Sequence, residues 1–179
     1  KIGGRAFEDE RGFKELAAAI KSIGQIDIVI VHGGGAEISQ ALKDTDHKTQ
    51  FIDGIRVTKA DDIKIIEMVL SKTINQRIIS RLEKYGVPCS PLSGRTKRLL
   101  VVEPLTRHGQ DFGYVGKIKQ VNTKVVLENI NTGQVPVVSP ISANEEGQSY
   151  NVNADSAAAA LAAAIPCTDL VFVTDVPGV

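Results

Sequence analysis

A short apolar run that ends in three consecutive glycines, residues 27–35 (DIVIVHGGG), constrains the fold of this chain more than any other feature. Its β-branched residues predict a buried strand, and the mixed polar and apolar sequence from Ala36 to Leu42 predicts a helix directly after it. The first backbone N–H groups of such a helix lack partners within it, so Gly33, Gly34 and Gly35 would let a phosphate or carboxylate approach the main chain. A tight turn with close helix–sheet packing is the alternative interpretation, and the glycines alone do not decide between the two.

The flanking sequence predicts an α/β fold with a mainly parallel sheet. Residues 1–4 have the pattern of a strand end followed by a second glycine turn, and residues 11–22 have helical spacing of apolar side chains. A strand, a helix and the strand at 27–31 form a βαβ unit, which requires a parallel sheet covered by helices. Further helices are predicted at about 60–85, 123–130 and up to 165, strands at 135–139 and 170–174, and a hairpin-like excursion over 99–118.

The predicted helix at 60–85 has a wider apolar surface than one stripe facing a sheet requires. Ile63, Ile66 and Leu70 begin one stripe, and Ile65, Met68, Val69 and Ile79 lie beside it. Two interpretations remain open: burial on two sides within the same domain, or a seam between two copies of the chain.

Composition restricts the class of protein. The 179 residues, 42% of them hydrophobic, are enough for one well-cored domain. The 21 basic residues equal the 21 acidic ones, which argues against a nucleic-acid-binding or membrane-surface protein. The longest apolar run, 157–165, is too short to cross a bilayer. Cys89 and Cys167 are predicted to be buried free thiols in a reducing compartment, the cytoplasm, with no disulfide or zinc site.

Four features could meet where the parallel strands end, which is the usual ligand crevice of an open α/β sheet. They are Lys1 beside Gly3 and Gly4, the three-glycine segment, Arg56, and the Asn-x-Asn-x-Asp sequence at 151–155. These residue types suit transfer of a phosphoryl group onto a carboxylate, because a carboxylate needs no general base and cations with N–H donors offset the repulsion between two anions. In this interpretation Lys1 neutralises the transferring group, Arg56 binds a second carboxylate and Asp155 orients lysine ammonium groups.

Each of these residues also has an ordinary structural interpretation. Asp155 is well placed to be the N-cap of the alanine-rich helix, and Asn151 and Asn153 are typical of a turn. Lys1 and Arg56 could be solvated surface side chains. Their order within one βαβ framework is what favours a shared site.

The ordered set resembles the amino acid kinase family. The resemblance rests on segments that span the chain, of which NVNAD at 151–155 together with GIRVT at 54–58 is the most specific. The others are KIGG at 1–4, VHGGG at 31–35, GYVG at 113–116, VPVVSPI at 135–141 and TDVPGV at 174–179. Within the family, the members that phosphorylate the side-chain carboxylate of N-acetyl-L-glutamate are the most similar.

The resemblance implies a three-layer sandwich of the carbamate-kinase type and ATP-dependent phosphorylation of N-acetyl-L-glutamate, a step of arginine biosynthesis. It implies a homodimer through the 60–85 helix and Mg2+ held largely by the nucleotide phosphates, with no metal site made by side chains. The implied catalytic roles are transition-state stabilisation by Lys1 and organisation of catalytic lysines by Asp155. The resemblance also implies that Gly34 and Gly35 bind the substrate and the phosphoryl group, and that Arg56 and Asn151 bind the α-carboxylate side of the substrate. Phosphate binding is implied for Gly3, Gly4 and Gly33.

In this family a C-terminal half carries most of the ATP site and a second catalytic lysine. Residues 1–179 therefore resemble the N-terminal lobe alone, an acyl-amino-acid-binding and dimerisation domain that we expect to be inactive in isolation. Alternatives are a kinase for a homologous N-acylated aminoadipate and a non-catalytic amino-acid-sensing kinase-like domain; a structural or assembly domain is weaker. Retention of Lys1, the glycine turns and Asp155 weighs against a sensor, and feedback inhibition by arginine stays open.

Overall fold

The computed structural model describes residues 1–3, 9–24 and 26–174. The helices are α1 (Glu10–Ser22), α2 (Gly35–Asp44), α3 (Asp62–Met68), α4 (Asn75–Lys84), α5 (Lys124–Asn131) and α6 (Ala154–Ala164). A π-helical segment, Val69–Ile74, joins α3 to α4, so residues 62–84 form one long helix. The strands are β1 (Ile30–Val31), β2 (Gln50–Ile52), β3 (Ile55–Val57), β4 (Cys89–Ser93), β5 (Leu100–Arg107), β6 (Gln110–Val121), β7 (Val135–Ser139), β8 (Ser142–Ala143) and β9 (Ser149–Tyr150).

A parallel sheet forms the centre of the fold. Its strand order is β1-β7-β4, and every pairing is parallel. Ile2 adds a further parallel element, because it bridges His32 on one side and Val173 on the other. The carboxyl ends of these strands face the same edge, and the three glycines follow β1 at that edge.

A hairpin and a mixed sheet, in which only the β5–β8 pairing is parallel among the described strands, extend the structure beside the central sheet. β2 and β3 form a hairpin, and β6, β5, β8 and β9 form a second sheet in that order. Parallel bridges from Thr58 to Gly113 and from Val115 to Asn151 attach the hairpin and the residues before α6 to β6. Gly113 has φ +67, and a Cβ there would lie 2.3 Å from the carbonyl oxygen of Thr58, so this contact requires glycine.

Two apolar clusters form the core. One is built largely from α1, α2 and the long helix, and the other includes residues of β5, α5 and α6. Ile63, Ile66, Leu70, Ile74, Ile78 and Leu82 of the long helix are all buried in the first cluster, and so are Val69 and Ile79. Of the extra apolar residues only Met68 is exposed, at 56%. The chain's own core thus accounts for the wide apolar surface, which no longer argues for a seam between two copies.

The predicted α/β architecture is confirmed, and most of the predicted elements are present at nearly the predicted bounds. Two strands are shorter than predicted: only Ile30–Val31 of 27–31 pairs as a strand, and in 170–174 only Val173 forms a bridge. The prediction that both cysteines are buried is wrong for Cys167, which is exposed just after the end of α6 and donates to the carbonyl of Ala162. In the described part of the chain no helix is long and apolar enough to cross a membrane.

Candidate functional site

Lys1 and Asp155 form an ion pair at the carboxyl edge of the parallel sheet. The Nζ atom of Lys1 lies 3.0 Å from Oδ1 of Asp155, and the lysine side chain is only 16% exposed whereas the aspartate is 55% exposed. A Cβ on Gly3 would lie 2.3 Å from that Nζ, so the lysine side chain lies over the glycine. The two predicted catalytic residues, from opposite ends of the sequence, are therefore in contact. Gly4 lies outside the described residues.

Helix α6 is capped by Asn153, and this frees Asp155 from a capping role. The side chain of Asn153 accepts a hydrogen bond from the backbone N–H of Ser156 at 2.9 Å. The N-cap interpretation of Asp155 is thus wrong, whereas a local structural role for Asn153 is confirmed. Asp155 lies in the first helical turn, where the helix dipole also favours a negative charge.

The three glycines differ in what surrounds them. A Cβ on Gly34 would lie 2.3 Å from Ile74 Cδ1 and 3.0 Å from Leu70 Cδ2, because this residue rests on the π-helical segment. Gly33 has an ordinary contact, 3.6 Å from Ala154 Cβ, and Gly35 has nothing within 4 Å. The close-packing interpretation is therefore confirmed for Gly34, and Gly35 leaves the open space at the first turn of α2 that the ligand interpretation requires.

Arg56, on β3, brings a guanidinium group to this same helix start. Its Nη2 donates to the carbonyl of Gly35 at 2.9 Å and to Ser39 Oγ at 2.8 Å. Its Nη1 donates to Thr49 Oγ1 at 3.3 Å, and the guanidinium carbon lies 4.6 Å from the centre of the Phe51 ring. Arg56 is therefore held in position and is not a solvated surface residue, being only 7% exposed.

The electrostatics of Arg56 favour an anionic ligand. All three of its hydrogen-bond acceptors are neutral, and no carboxylate of the described residues lies within ion-pair distance of it. Burial lowers the pKa of Arg56, and the negative charge of Asp62 acts in the opposite direction. A buried cation without a counterion is costly, and an anion at the start of α2 would offset that cost.

Asn151 is connected to Arg56 through Thr58. Its Nδ2 donates to Thr58 Oγ1 at 3.3 Å, and that hydroxyl donates to the carbonyl of Arg56 at 3.3 Å. Main-chain hydrogen bonds to Tyr114 and Gly116 fix the backbone of Asn151 beside β6. The structure thus brings together Arg56, Thr58 and Asn151, which are far apart in sequence.

Two polar groups near the site were given no role by the sequence analysis. His32 is 1% exposed, and burial lowers its pKa to about 4, so the ring is neutral near pH 7. It contacts Gly33 O through Nδ1 at 3.1 Å and Asn75 Nδ2 through Nε2 at 3.1 Å. Asp62, whose side chain is 3% exposed, contacts His47 Nδ1 at 2.5 Å. The sequence signal for His32 was its position, since it is a polar residue directly after an apolar strand.

Together these residues offer an ammonium group, a guanidinium group and open main-chain N–H positions at the carboxyl edge of a parallel sheet. Such a set binds and neutralises anions, which is what phosphoryl transfer requires. Among residues 1–3, 9–24 and 26–174, no group of three or more His, Cys, Asp or Glu side chains is arranged to hold a metal ion. The fold and the site define an α/β protein whose sheet edge has the cationic and main-chain donors that phosphoryl chemistry uses.

The chain belongs to the amino acid kinase family, since the sequence model of that family matches residues 1–179. It is 39% identical over 180 residues to an acetylglutamate kinase of Geobacillus stearothermophilus, covering 100% of this chain and 69% of the relative. An acetylglutamate kinase of Methanocaldococcus jannaschii is 39% identical over 191 residues, which cover 100% of this chain and 63% of the relative. An acetylglutamate kinase of Geobacillus kaustophilus is 43% identical over 157 residues, which cover 86% of this chain and 59% of the relative. The chain thus spans 59% to 69% of the length of these curated relatives.

Solved structures agree with the fold. The Streptococcus mutans protein smu.665 superposes with a TM-score of 0.82 at 27% identity, covering 98% of this chain and 71% of that one. An N-acetylglutamate synthase of Neisseria gonorrhoeae, complexed with coenzyme A and L-arginine, gives a TM-score of 0.77 at 23% identity, covering 99% of this chain and 43% of that one. The second likeness concerns the fold alone.

Proposed function

We propose that this chain carries the acyl-amino-acid-binding part of a kinase that uses ATP to phosphorylate the side-chain carboxylate of N-acetyl-L-glutamate, in arginine biosynthesis. The observation that carries the proposal is the buried guanidinium of Arg56 at the start of α2, with only neutral partners in the described part of the chain. The names of the relatives support the choice of acyl amino acid.

The proposed roles follow from the position of each group. Arg56, with Asn151 linked to it through Thr58, binds the α-carboxylate side of the substrate. Three of the five guanidinium N–H donors are used within the described chain, which leaves one on Nη1 and the one on Nε for charge-assisted hydrogen bonds to a carboxylate. The N–H groups of Gly34 and Gly35, at the positive end of α2, face the side-chain carboxylate and the incoming phosphoryl group. Gly3 and Gly33 provide main chain close to the same phosphoryl group, and Gly4, outside the described residues, has this role by the resemblance alone.

The chemistry requires charge neutralisation more than proton transfer. The nucleophile is already an anion, so Lys1 acts by stabilising negative charge on the transferring phosphoryl group, and Asp155 holds the Lys1 ammonium in place. ATP is the phosphoryl donor, and Mg2+ bound mainly by its phosphates would neutralise further charge.

The proposal also concerns the location of the ATP site, the oligomeric state and the cellular location. We assign the ATP site mainly to the part of the relatives' length that this chain does not span, and we therefore expect no turnover from residues 1–179 alone. We further propose a cytoplasmic location and a homodimer through residues 60–85; the dimer is supported by the resemblance to the family and not by the apolar surface of this helix, which the chain's own core covers.

Calorimetric titration of this chain with N-acetyl-L-glutamate tests the proposal, with glutamate and N-acetyl-L-aminoadipate as comparison ligands. We expect saturable binding that requires the acetyl group and is weaker for the longer aminoadipate. Tighter binding of the aminoadipate would transfer the proposal to the homologous kinase. Absence of binding in a folded sample, with binding also absent from a longer chain that includes the ATP part, would contradict it.

A further inference from the structure

The π-helical segment Val69–Ile74 packs against Gly34, the middle one of the three glycines. Leu70 and Ile74 are the side chains that a Cβ on Gly34 would meet, and both are buried. Ser71 of the same segment hydrogen-bonds Ser139, at the end of β7, with 2.8 Å between the two hydroxyls. π-Helical turns are rare and occur frequently at functional sites. This one lies against the main chain that the proposed function uses to bind an anion.

Asn75 follows that segment and directs its amide group into the sheet. It is 1% exposed, and its Nδ2 lies 2.8 Å from Val137 O, 3.1 Å from His32 Nε2 and 3.4 Å from Leu92 O. Two carbonyl oxygens on this side identify the group facing them as the NH2. Its Oδ1 is buried and has no hydrogen-bond partner among the described residues. An unpaired buried acceptor destabilises a fold, so stability alone does not account for an asparagine here.

The donor from Asn75 fixes the tautomer of His32. The amide has two hydrogens, and we assign them to its two shorter contacts, Val137 O at 2.8 Å and His32 Nε2 at 3.1 Å. Nε2 then accepts, so the single proton of the neutral ring is on Nδ1, which lies 3.1 Å from the Gly33 carbonyl oxygen, a group that can only accept. That carbonyl and the N–H of Gly34 belong to the same peptide group and point in opposite directions across a trans bond. Fixing the Gly33 carbonyl therefore directs the Gly34 N–H away from the buried imidazole.

We propose that Asn75 is a positioning residue that acts through His32 to orient the N–H of Gly34 toward the bound anion. The inference rests on the proposed function, since it assigns Gly34 as a donor to the substrate or to the phosphoryl group. Asn75 itself touches neither. Its effect is on the direction of a main-chain donor, and the energy of a hydrogen bond depends steeply on that direction.

The experiment is nuclear magnetic resonance on the 15N-labelled chain, with N-acetyl-L-glutamate as the probe. In the unsubstituted chain we expect the ring nitrogens of His32 to show a protonated Nδ1 and an unprotonated Nε2 at pH 7, and the Gly34 amide signal to move on titration. In Asn75→Leu we expect the tautomer to lose its uniqueness and the dissociation constant of the probe to rise about tenfold, the effect of one misdirected hydrogen bond.

Asn129→Leu is the matched control, because Asn129 is also a helical asparagine that donates to one carbonyl, that of Val125 at 2.7 Å. It should leave the probe affinity and the His32 ring unchanged. A folded Asn75→Leu chain that binds the probe as tightly as the unsubstituted chain would overturn the inference. So would an unsubstituted His32 protonated at Nε2, a result that needs no variant. If the unsubstituted chain binds no probe, titration of a longer chain that includes the ATP part decides the proposed function. The His32 tautomer and the chemical shift of the Gly34 amide in Asn75→Leu then still test the link from Asn75 through His32 to Gly34, and an unchanged tautomer and an unchanged shift would overturn it.

Discussion

Arg56 and Arg77 both contact helix α2, but their surroundings differ. Arg77 makes two parallel hydrogen bonds to the carboxylate of Glu37, at 2.7 and 2.8 Å, and both side chains are more than a third exposed. Arg56 is buried and, among the described residues, donates only to a carbonyl and two hydroxyls. Arg77 thus has a counterion within the described chain, whereas Arg56 has none within ion-pair distance there. This difference is the basis for proposing Arg56, and not Arg77, as the cation that binds the substrate.

The largest expected effect separates the two arginines directly. Arg56→Ala should weaken binding of N-acetyl-L-glutamate by roughly a hundredfold or more, because the charge-assisted hydrogen bonds to the α-carboxylate are lost. Its free energy of unfolding should change by only about 1 kcal/mol, since removing a buried charge that has no ion-pair partner within 4 Å among the described residues offsets the lost neutral hydrogen bonds. Calorimetric titration and urea unfolding measure the two quantities.

Arg77→Ala is the control for that prediction. It should leave the affinity unchanged and lower the free energy of unfolding by about 1 kcal/mol or less, as expected for a partly exposed pair. Equal losses of affinity in the two variants would remove the distinction between the arginines.

His32 gives a second contrast with Arg56, because burial makes the histidine neutral whereas the arginine keeps its charge. The pKa of His32 falls from 6.5 to about 4, so the folded chain binds its proton less readily than the unfolded chain. Stability from this group is fully present above about pH 6.5 and is lost as the pH falls to about 4, a loss on the order of 3 kcal/mol. Urea unfolding between pH 7 and pH 4 should show a smaller decrease for His32→Gln than for the unsubstituted chain. Identical pH profiles of the two chains would contradict the conclusion that burial lowers the pKa of His32.

Gly34 and Gly35 allow a structural role and a binding role to be compared in two neighbouring residues. Gly34→Ala should destabilise the chain by about 1–3 kcal/mol, because its Cβ would overpack Ile74 and Leu70. Gly35→Ala should leave the free energy of unfolding nearly unchanged, since nothing lies within 4 Å, and should still weaken N-acetyl-L-glutamate binding by placing a methyl group in the open space. Thermal unfolding and titration of both variants test this, and full affinity in Gly35→Ala would argue against a ligand there.

The smallest effect is expected in the turn before β5. Lys97 and Arg98 have φ +48 and +56, a left-handed conformation that costs energy in non-glycine residues. Lys97→Gly should raise the free energy of unfolding by about 0.5–1 kcal/mol without changing the affinity for N-acetyl-L-glutamate. Reduced stability of Lys97→Gly in urea unfolding would show that the ion pair of Lys97 with Glu128 outweighs the backbone strain.

Periodicity and turn signals predicted most of the fold because they are local properties. The helix after Gly34 and the strand at 135–139 needed only apolar spacing and the adjacent glycines. The shortened strand at 170–174 and the exposure of Cys167 depend on which residues pack against that segment, which local sequence does not specify.

The sequence predicted which residues come together at this edge of the sheet better than it predicted what each of them contacts. Lys1 and Asp155 were expected together and are in contact. Gly34 was expected to bind a ligand, but its packing against Ile74 depends on a helix forty residues away in sequence. The link from Asn75 to His32 was not predicted, because an asparagine inside an apolar helical pattern carries no signal of the sheet groups that it meets.

A crystal structure of this chain grown with N-acetyl-L-glutamate tests the central claim most directly. We predict that the α-carboxylate lies within hydrogen-bond distance of the Arg56 guanidinium and that the side-chain carboxylate faces the main-chain N–H groups of Gly34 and Gly35. A ligand bound elsewhere on the chain, with Arg56 still contacting only Gly35, Ser39 and Thr49, would contradict the account.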